Sequence, residues 1–274
     1  MTIVHNVAQS GFGSGTNELY DRARPSYQSN TLSAIREAVK ATAPLNVIEI
    51  GAGTGLFTKS LLKHPDFSSA IKELRAVEPS AGMREVFVKT VQDERVSARE
   101  GTFDTTNIED GWADLVTIAQ AFHWCPDFDA ASVEFARILK PGGVVAFIWN
   151  LADKKAARWV AQLRAQTEQH EPLGTPQFRQ GLWRKIFGTD SYKRSFEPPV
   201  EKSWAYSLPC DVPLAVDRAT TTSYIQNLSA DVKSKVLNDV KAIVERGDDK
   251  VWIDESQGMF EYPYQTFLVI AQKK

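Results

Sequence analysis

Short β-branched apolar runs alternate with amphipathic segments through the middle of the chain. The runs have the length of strands, and the segments between them repeat apolar residues at helical spacing. From Leu45 to Asn150 the predicted order is strand LNVIEI, helix TGLFTKSLLK, strand LRAVE, helix SAGMREVFVKTV, strand VSAREG, strand ADLVTIAQ, helix DAASVEFARIL and strand VVAFIW. This alternation predicts an α/β fold, with a doubly wound, mostly parallel sheet and helices on both faces.

The pattern changes after Trp149. Residues 151–186 have the character of long polar helices interrupted by EPLGTP, whose prolines and glycine break a helix, so this stretch is a candidate lid. SWAYSL then predicts a strand, and a helix with regularly spaced apolar residues begins at Ser229. The segment YPYQTFLVIAQ predicts a last strand.

The start of the chain differs from both of these regions in composition. Residues 10–18, SGFGSGTNE, are rich in Gly and Ser and predict a mobile entry segment. A helix follows, with an apolar face formed by Leu32, Ile35 and Val39. We therefore divide a single domain into a cap segment and helix over residues 1–44, a core over residues 45–150, and the remaining strands with helical lid insertions over residues 151–274.

Composition and charge narrow the classes of function. The formal net charge of -2 over 274 residues offers no attraction to a polyanion, so we expect no nucleic-acid partner, and the basic stretch KKAARWVAQLR predicts a solvated helix face. Cys125 and Cys210 lack the paired spacing of a metal cage or a disulfide framework. The apolar runs are too short to span a bilayer, which predicts no membrane partner and a cytoplasmic location. We expect a monomer or a homodimer.

The strongest local signal is VIEIGAGTG, a buried strand that runs into glycines at positions 51, 53 and 55. Glycine lets a ligand approach the backbone closely, so the turn predicts a cradle for a nucleoside cofactor. A dinucleotide-binding domain and a plain strand-to-helix turn are the alternatives. The third glycine of the dinucleotide pattern would fall at Leu56, so that pattern is not met.

Two acids flank this turn. Glu49 precedes the first glycine by two residues, and its charge would repel a pyrophosphate but attract the ammonium group of an amino-acid-bearing cofactor. Glu78 ends the next strand, where a carboxylate can accept hydrogen bonds from both hydroxyls of a ribose. A solvated strand-end acid is the alternative for Glu78.

The ordered motifs VIEIGAGTG, AVEPS, EGTFDTT, AQAFHW and RILKPGGVVAFIW together resemble class I S-adenosylmethionine-dependent methyltransferases, from about Leu45 to Asn150. YDRARPSY, AQAFHW and TTSYIQNLS are similar to the branch of small-molecule enzymes that includes trans-aconitate methyltransferase and its fungal relatives. The resemblance implies a Rossmann-like, seven-stranded sheet with an antiparallel last strand, and S-adenosylmethionine bound by the core over residues 45–150.

Carried over position by position, the resemblance implies cofactor contacts from the turn at Gly51, Ala52, Gly53, Thr54 and Gly55, together with Glu49. Glu78 would hold the ribose. Residues flanking the adenine would be Pro79, Ser80, Met83, Thr102, Phe103 and Asp104. The family's residue at position 103 is usually small, so Phe103 departs from the pattern.

The remaining contacts implied by the resemblance lie at the reacting end. Gln120, Ala121 and Phe122 would lie beside the sulfonium, and Tyr20 and Arg24 would fold over the cofactor, with Arg24 pairing its carboxylate. A surface arginine in a turn is the alternative for Arg24. The acceptor side would be formed by His123, Trp124 and Trp149.

Methyl transfer from a sulfonium is an in-line displacement that needs positioning and no metal. His123 is the candidate general base, and the alternative is a histidine that only orients the acceptor. A small-molecule acceptor is predicted, with a carboxylate favoured by analogy and O-, N- or S-methylation left open. Two other functions remain as alternatives, a nicotinamide-dependent oxidoreductase, which Glu49 and Leu56 argue against, and a catalytically silent cofactor-binding protein.

Overall fold

The computed structural model describes the chain from residue 17 to residue 274. Most of the predicted entry segment over residues 10–18, namely residues 10–16, therefore lies outside the described residues. The same holds for residues 1–16 of the predicted cap. Across residues 17–274, no helix combines the length and the apolar character needed to cross a membrane.

One mixed sheet forms the centre of the molecule. Its strands in chain order are β1 (Leu45–Ile50), β2 (Ile71–Val77), β3 (Val96–Arg99), β4 (Ala113–Ala119), β5 (Leu139–Ala152), β6 (Val200–Cys210), β7 (Trp252–Asp254) and β8 (Met259–Gln272). The spatial order is β3-β2-β1-β4-β5-β8-β6, with β7 paired to β8. The first five strands pair in parallel, and β8 runs antiparallel to β5 and to β6. The predicted mostly parallel, Rossmann-like sheet with an antiparallel last strand is confirmed, with short β7 added.

The helices connect these strands. They are α1 (Asn17–Ala23), α2 (Ser29–Ala38), α3 (Leu56–Lys63), α4 (Pro65–Ser68), α5 (Ala81–Thr90), α6 (Phe128–Ile138), α7 (Arg158–Glu168), α8 (Asp190–Ser195), α9 (Val212–Thr220), α10 (Ser223–Gln226) and α11 (Ala230–Arg246). Side-chain caps start several of them, as where Ser80 accepts a hydrogen bond from the backbone N–H of Met83 at the start of α5. Short 3₁₀ segments lie at Phe122–Trp124, Phe178–Gln180, Leu182–Gly188 and Glu255–Gln257.

Apolar residues cover both faces of the sheet. Neighbouring strand residues point to opposite faces, so Val47 packs with α2, α3 and α5 on one side while Ile48 packs with α6 and the turn Leu182–Gly188 on the other. A third apolar cluster joins α7, α9 and α11 to the early part of β8. The lid elements therefore have a core of their own beside the sheet.

The strand order places the site. The chain leaves β1 toward β2 and β3, then returns to add β4 on the other side of β1. In open α/β sheets a ligand binds at such a switch point, beyond the carboxyl ends of the strands. Residues that follow β1, β2 and β4 therefore meet at one edge.

The structure corrects the prediction after Trp149. Strand β5 begins at Leu139 and continues to Ala152, so the predicted helix from residue 151 was wrong at its start. The helix there is α7, which begins only at Arg158. A β5 of this length pairs with β8 from Val144 to Ala152, which holds the chain in the sheet.

Candidate active site

The turn after β1 brings the backbone to the edge of the sheet. Gly51 has a φ of +73°, and its N–H donates to the carbonyl of Val77 at 2.7 Å. A Cβ built on Gly51 would lie 2.5 Å from the Cβ of Ala121, so only glycine fits between β1 and the end of β4. Gly53 is more open, because a Cβ there would lie 3.9 Å from Sδ of Met83.

Glu78, the residue after β2, reaches across to this turn. One carboxylate oxygen accepts the N–H of Gly53 and the other accepts the N–H of Ser80, each at 2.9 Å. The side chain is buried, and burial raises the pKa of its carboxyl group while the two backbone donors oppose that shift. Because each oxygen has a second lone pair, the carboxylate retains the capacity to accept two hydroxyl groups.

Glu49 lies beneath the same turn. It is 1% exposed, and its carboxyl group accepts a hydrogen bond from the hydroxyl of Thr58. Burial raises the pKa of Glu49 to about 8, with a smaller upward contribution from the charge of Glu78. In the free protein at neutral pH, Glu49 is therefore mostly protonated.

Helix α1 lies against the glycine turn. Asp21 accepts the hydroxyl of Thr54 at 3.1 Å and the Nζ of Lys59 at 2.7 Å. These contacts bring Tyr20 and Arg24, which lie on either side of Asp21 in the chain, to the carboxyl edge of the sheet, where the Arg24 guanidinium lies 5.1 Å from the ring centre of Tyr20.

The residues predicted to flank the adenine lie on the β2 and β3 side. Met83 is buried and Thr102 donates to Asp104 at 2.7 Å, which fixes that loop. Phe103 packs edge-on against Phe122, with the ring centres 5.6 Å apart. Phe122 itself is completely buried among aromatic side chains, so it supports the loop from below. Gly55 packs against Phe87 and Val91, and Pro79 and Ser80 are half-buried at the start of α5.

The end of β4 has an unusual backbone. Gln120 has a φ of +57°, a backbone conformation that residues other than glycine and asparagine rarely adopt. Its side-chain amide donates to the backbone carbonyl of Asn150 at 2.6 Å. Such strain is concentrated at functional sites. It turns the chain so that His123 and Trp124 follow at the mouth of a cavity.

This cavity has a volume of about 200 Å³. It opens beyond the ends of β4 and β5, and α7, α9, α10 and the segment before Phe178–Gln180 close it. Aromatic side chains in its wall are Tyr20, His123, Trp124, Phe178, Tyr224, Tyr262 and Tyr264. The charged side chains in its wall are Arg24, Arg164, Arg179, Arg218 and Glu168.

Two of these arginines are neutralised. Arg164 donates from Nε to Glu168 at 2.8 Å, and Arg179 donates from Nη2 to Glu171 at 2.6 Å. Arg179 also lies 3.7 Å from the second oxygen of Glu168. Their charges are thus largely compensated within the lid.

The other two arginines bind only uncharged groups. Arg24 donates to the hydroxyl and the carbonyl of Thr221 at 2.9 and 3.0 Å, and Arg218 donates to the carbonyl of Ala23 at 2.9 Å. Neither forms an ion pair with a carboxylate in the part of the chain from residue 17 onward. The guanidinium of Arg218 lies 5.3 Å from the ring centre of Tyr262. Two uncompensated positive charges therefore face the cavity.

His123 and Trp149 are linked to each other. The indole nitrogen of Trp149 donates to Nδ1 of His123 at 3.3 Å. Trp149 is completely buried and does not line the cavity, so the structure places it behind His123. Burial lowers the pKa of His123 to about 3, which keeps the ring neutral.

The structure thus gathers the predicted residues into two adjoining groups. The glycine turn, Glu49 and Glu78 form one, and Tyr20, Arg24, Gln120, His123 and Trp124 meet in the cavity. Sequence reasoning missed most of the far wall, namely Arg164, Glu168, Arg179, Arg218, Tyr262 and Tyr264. Arg164 belongs to the basic stretch that we predicted to be solvated, and the tyrosines had one available signal, the alternation in YPY along β8.

Comparison with known proteins decides between the families. A methyltransferase domain model matches residues 48–147. An uncharacterised methyltransferase of Mycobacterium bovis is 30% identical over 194 residues, which are 67% of this chain and 74% of the relative. The chain belongs to the class I S-adenosylmethionine-dependent methyltransferases.

Two further matches agree with this family. An uncharacterised methyltransferase-like protein of Schizosaccharomyces pombe is 30% identical over 169 residues, 61% of this chain and 62% of the relative. Among solved structures, the methyltransferase in complex with the Haloferax volcanii Trm112 methyltransferase activator has a TM-score of 0.56 at 18% identity and covers 99% of both chains. The latter shows the fold alone. None of these matches supports a nicotinamide-dependent oxidoreductase.

The methyltransferase has features that fit its cofactor, S-adenosylmethionine. The turn at Gly51 exposes backbone that a Cβ would block, and Glu78 offers unused lone pairs at the tip of β2. Glu49 is a buried acid that forms no ion pair with a residue of the 17–274 range, so its carboxyl group is open to pairing with an ammonium group. The adjoining cavity provides separate space for an acceptor.

Proposed function

We propose that this methyltransferase transfers a methyl group to a small-molecule carboxylate bound in the cavity beyond β4 and β5. The observation that carries the proposal is the pair of uncompensated arginines, Arg24 and Arg218, in a wall otherwise rich in aromatic side chains, because the cofactor brings only one carboxylate and the second arginine is left for the acceptor. Cations in a partly buried wall favour a bound anion strongly, because the low local dielectric weakens screening. The volume of about 200 Å³ suits a small acceptor.

The two arginines have different roles in this proposal. Arg24 follows α1, which is tied to the glycine turn through Asp21, so it pairs the carboxylate of the cofactor. Arg218 lies over the rings of Tyr262 and Tyr264 and holds the acceptor. The cofactor contacts are those that the family pattern implies, with Glu49 on the ammonium group, Glu78 on the ribose, and Met83, Thr102, Phe103 and Asp104 around the adenine.

The chemistry requires alignment more than proton transfer. When bound, S-adenosylmethionine supplies an electrophilic methyl group whose bond to sulfur breaks as the acceptor bond forms. The chain's residues hold the acceptor oxygen in line and exclude water, and such positioning can supply a large part of the rate acceleration. Tyr20 and Phe178 contribute to the wall that surrounds the acceptor.

Cofactor binding is expected to release about one proton near pH 7. Glu49, with a pKa of about 8 in the free protein, must ionise to pair an ammonium group, so its pKa falls on binding and affinity rises as the pH increases from 6 toward 8. Calorimetric titration with S-adenosylhomocysteine in two buffers of different ionisation enthalpy measures the proton count. Glu49→Gln should release none, and equal enthalpies for the wild-type protein in both buffers would contradict this assignment.

Substitution of Arg218 tests the acceptor class. We would incubate the enzyme with deuteromethyl-labelled cofactor and a panel of carboxylic acids that includes trans-aconitate, with phenols, amines and thiols alongside, and detect labelled products by mass spectrometry. For the acid that reacts fastest, Arg218→Gln is expected to raise KM about 10- to 100-fold.

The matched control is Arg179→Gln, which removes a cavity arginine that is already neutralised and should change KM less than about fivefold. Labelled phenols, amines or thiols without labelled acids would overturn the proposal, and so would equal effects of the two substitutions.

A further inference from the structure

The contact between Trp149 and His123 fixes which nitrogen of the histidine carries hydrogen. An indole N–H can only donate, so Nδ1 of His123 must be the acceptor in the 3.3 Å contact. In a neutral imidazole the hydrogen then resides on Nε2. The hydrogen-bond partner thus selects the tautomer.

Trp149 cannot easily leave this position. Its ring lies 4.6 Å from that of Trp183 and 4.8 Å from that of Phe178, centre to centre, and it belongs to β5 within the sheet. It has no exposed surface. The indole donor is therefore held rigidly, and a protonated His123 would direct a second N–H against it.

The other edge of the imidazole faces a different environment. His123 lines the cavity, and among residues 17–274 the hydrogen bond of its side chain is the one that Nδ1 accepts from Trp149, which leaves Nε2 for a ligand. The one carboxylate among the cavity-lining side chains, Glu168, is occupied by Arg164 and Arg179. Thus the described wall presents an N–H donor at His123 and no unpaired base.

We propose that His123 binds the acceptor as a neutral Nε2–H donor and that Trp149 is a positioning residue that enforces this tautomer. This inference rests on the proposed function. It restricts the acceptor to groups that arrive already ionised. A carboxylate oxygen forms the bond to the methyl carbon, the carbon–sulfur electron pair stays on sulfur, and no proton moves. An alcohol or a protonated amine would leave a proton that the described wall cannot accept.

The tautomer can be measured without any acceptor. Two-dimensional ¹⁵N–¹H correlation of the imidazole rings separates a protonated from an unprotonated ring nitrogen, and His123→Gln identifies the signals of His123 by their loss. We expect wild-type enzyme to show hydrogen on Nε2 only. Trp149→Phe removes the indole donor and should produce a mixture of tautomers or a protonated ring at pH 6.

Trp183→Phe is the matched control. Trp183 is as buried as Trp149, but its indole donates to the carbonyl of Phe178, so its loss weakens the same aromatic cluster without touching His123. The His123 signals should be unchanged in this variant. Hydrogen on Nδ1 in the wild type, or identical His123 signals in wild type and Trp149→Phe, would overturn the proposal.

Kinetics distinguishes a donor from a base. The amide of glutamine can donate near the position of Nε2 but cannot take up a proton. For the fastest acid of the panel, His123→Gln should therefore keep kcat/KM within about tenfold of wild type, and His123→Phe should lower it by about 10- to 100-fold. A general base would make both variants lose 100-fold or more. Equal losses in the two variants would overturn the donor role. If no acid is methylated at all, the proposed function fails, whereas the tautomer measurement stands separately.

Discussion

Substitution of Gly51 by alanine is expected to weaken cofactor binding by at least about 100-fold. The new Cβ would lie 2.5 Å from that of Ala121, closer than two non-bonded carbon atoms approach each other, so either the glycine turn or the end of β4 must move. Both border the proposed cofactor site, and a displacement of about 1 Å can cost that factor in a positioned site. Calorimetric titration with S-adenosylhomocysteine measures the change.

Gly142→Ala separates the backbone strain from the clash. Gly142 has the same φ of +73°, but a Cβ there meets no atom within 4 Å. It should lose about 1 kcal/mol of stability and leave cofactor affinity unchanged. The double variant Gly51→Ala/Ala121→Gly removes the overlap and should recover part of the affinity. Normal binding by Gly51→Ala would show that the turn does not carry the cofactor.

The parallel half of the sheet was predictable because its strands are buried on both faces. Strand β4, ADLVTIA, is buried at every position, and β1 is buried at five of six, so each appears as an unbroken apolar run. The helices between them repeat apolar residues with a single period. The apolar pattern of the sequence therefore agrees with the observed strands and helices, because the burial of these elements requires that pattern.

The later part of the chain was harder to predict for a physical reason. Strand β6 is an edge strand with mostly exposed or half-buried residues, and β7 has only three residues, so neither has a strong apolar signal beyond SWAYSL. Helix α9 is capped by Asp211 and has Pro213 in its first turn, and this pair of residues is the local sequence signal for its start. Weak burial leaves a weak pattern.

The candidate site divides in the same way. Glu49, Gly51 and Glu78 lie at fixed steps along a βαβ unit, so the sequence predicts their meeting. Arg218 reaches the cavity from a helix that follows the candidate lid, and its partner Ala23 lies 195 residues away. No local spacing encodes that contact, and only the folded chain reveals that Arg218 lacks a counter-charge.

This division has a functional consequence. The part of the site encoded locally is the part that a cofactor common to a whole family requires. The proposed acceptor cavity is lined by residues of α1, the end of β4, the lid helices and β8. The lid helices and the early part of β8 pack through a separate apolar cluster. We therefore expect substitutions in that cluster to alter acceptor choice without disturbing the turn proposed to hold the cofactor.

Glu78→Ala is expected to weaken the binding of S-adenosylhomocysteine by about 1.5 to 3 kcal/mol, roughly 10- to 150-fold, through loss of charge-assisted hydrogen bonds. The carboxylate also accepts the N–H groups of Gly53 and Ser80, so its removal loosens the turn as well as the proposed ribose contact. Glu78→Gln keeps one acceptor oxygen and should have an intermediate effect. Titration calorimetry at pH 7.5 compares the three proteins.

A second ligand separates Glu78 from Glu49. Methylthioadenosine keeps the ribose and adenine but lacks the amino acid, so Glu78→Ala should weaken it as strongly as S-adenosylhomocysteine, whereas Glu49→Gln should weaken S-adenosylhomocysteine alone. The control for loss of a buried acid is Asp114→Ala, because Asp114 also accepts a backbone N–H, from Asn46 at 2.8 Å, and lies at the start of β4, the end of that strand opposite the site. That variant should lower the unfolding temperature with no change in affinity. An unchanged dissociation constant in Glu78→Ala would refute the ribose assignment, because no other carboxylate follows β2 directly.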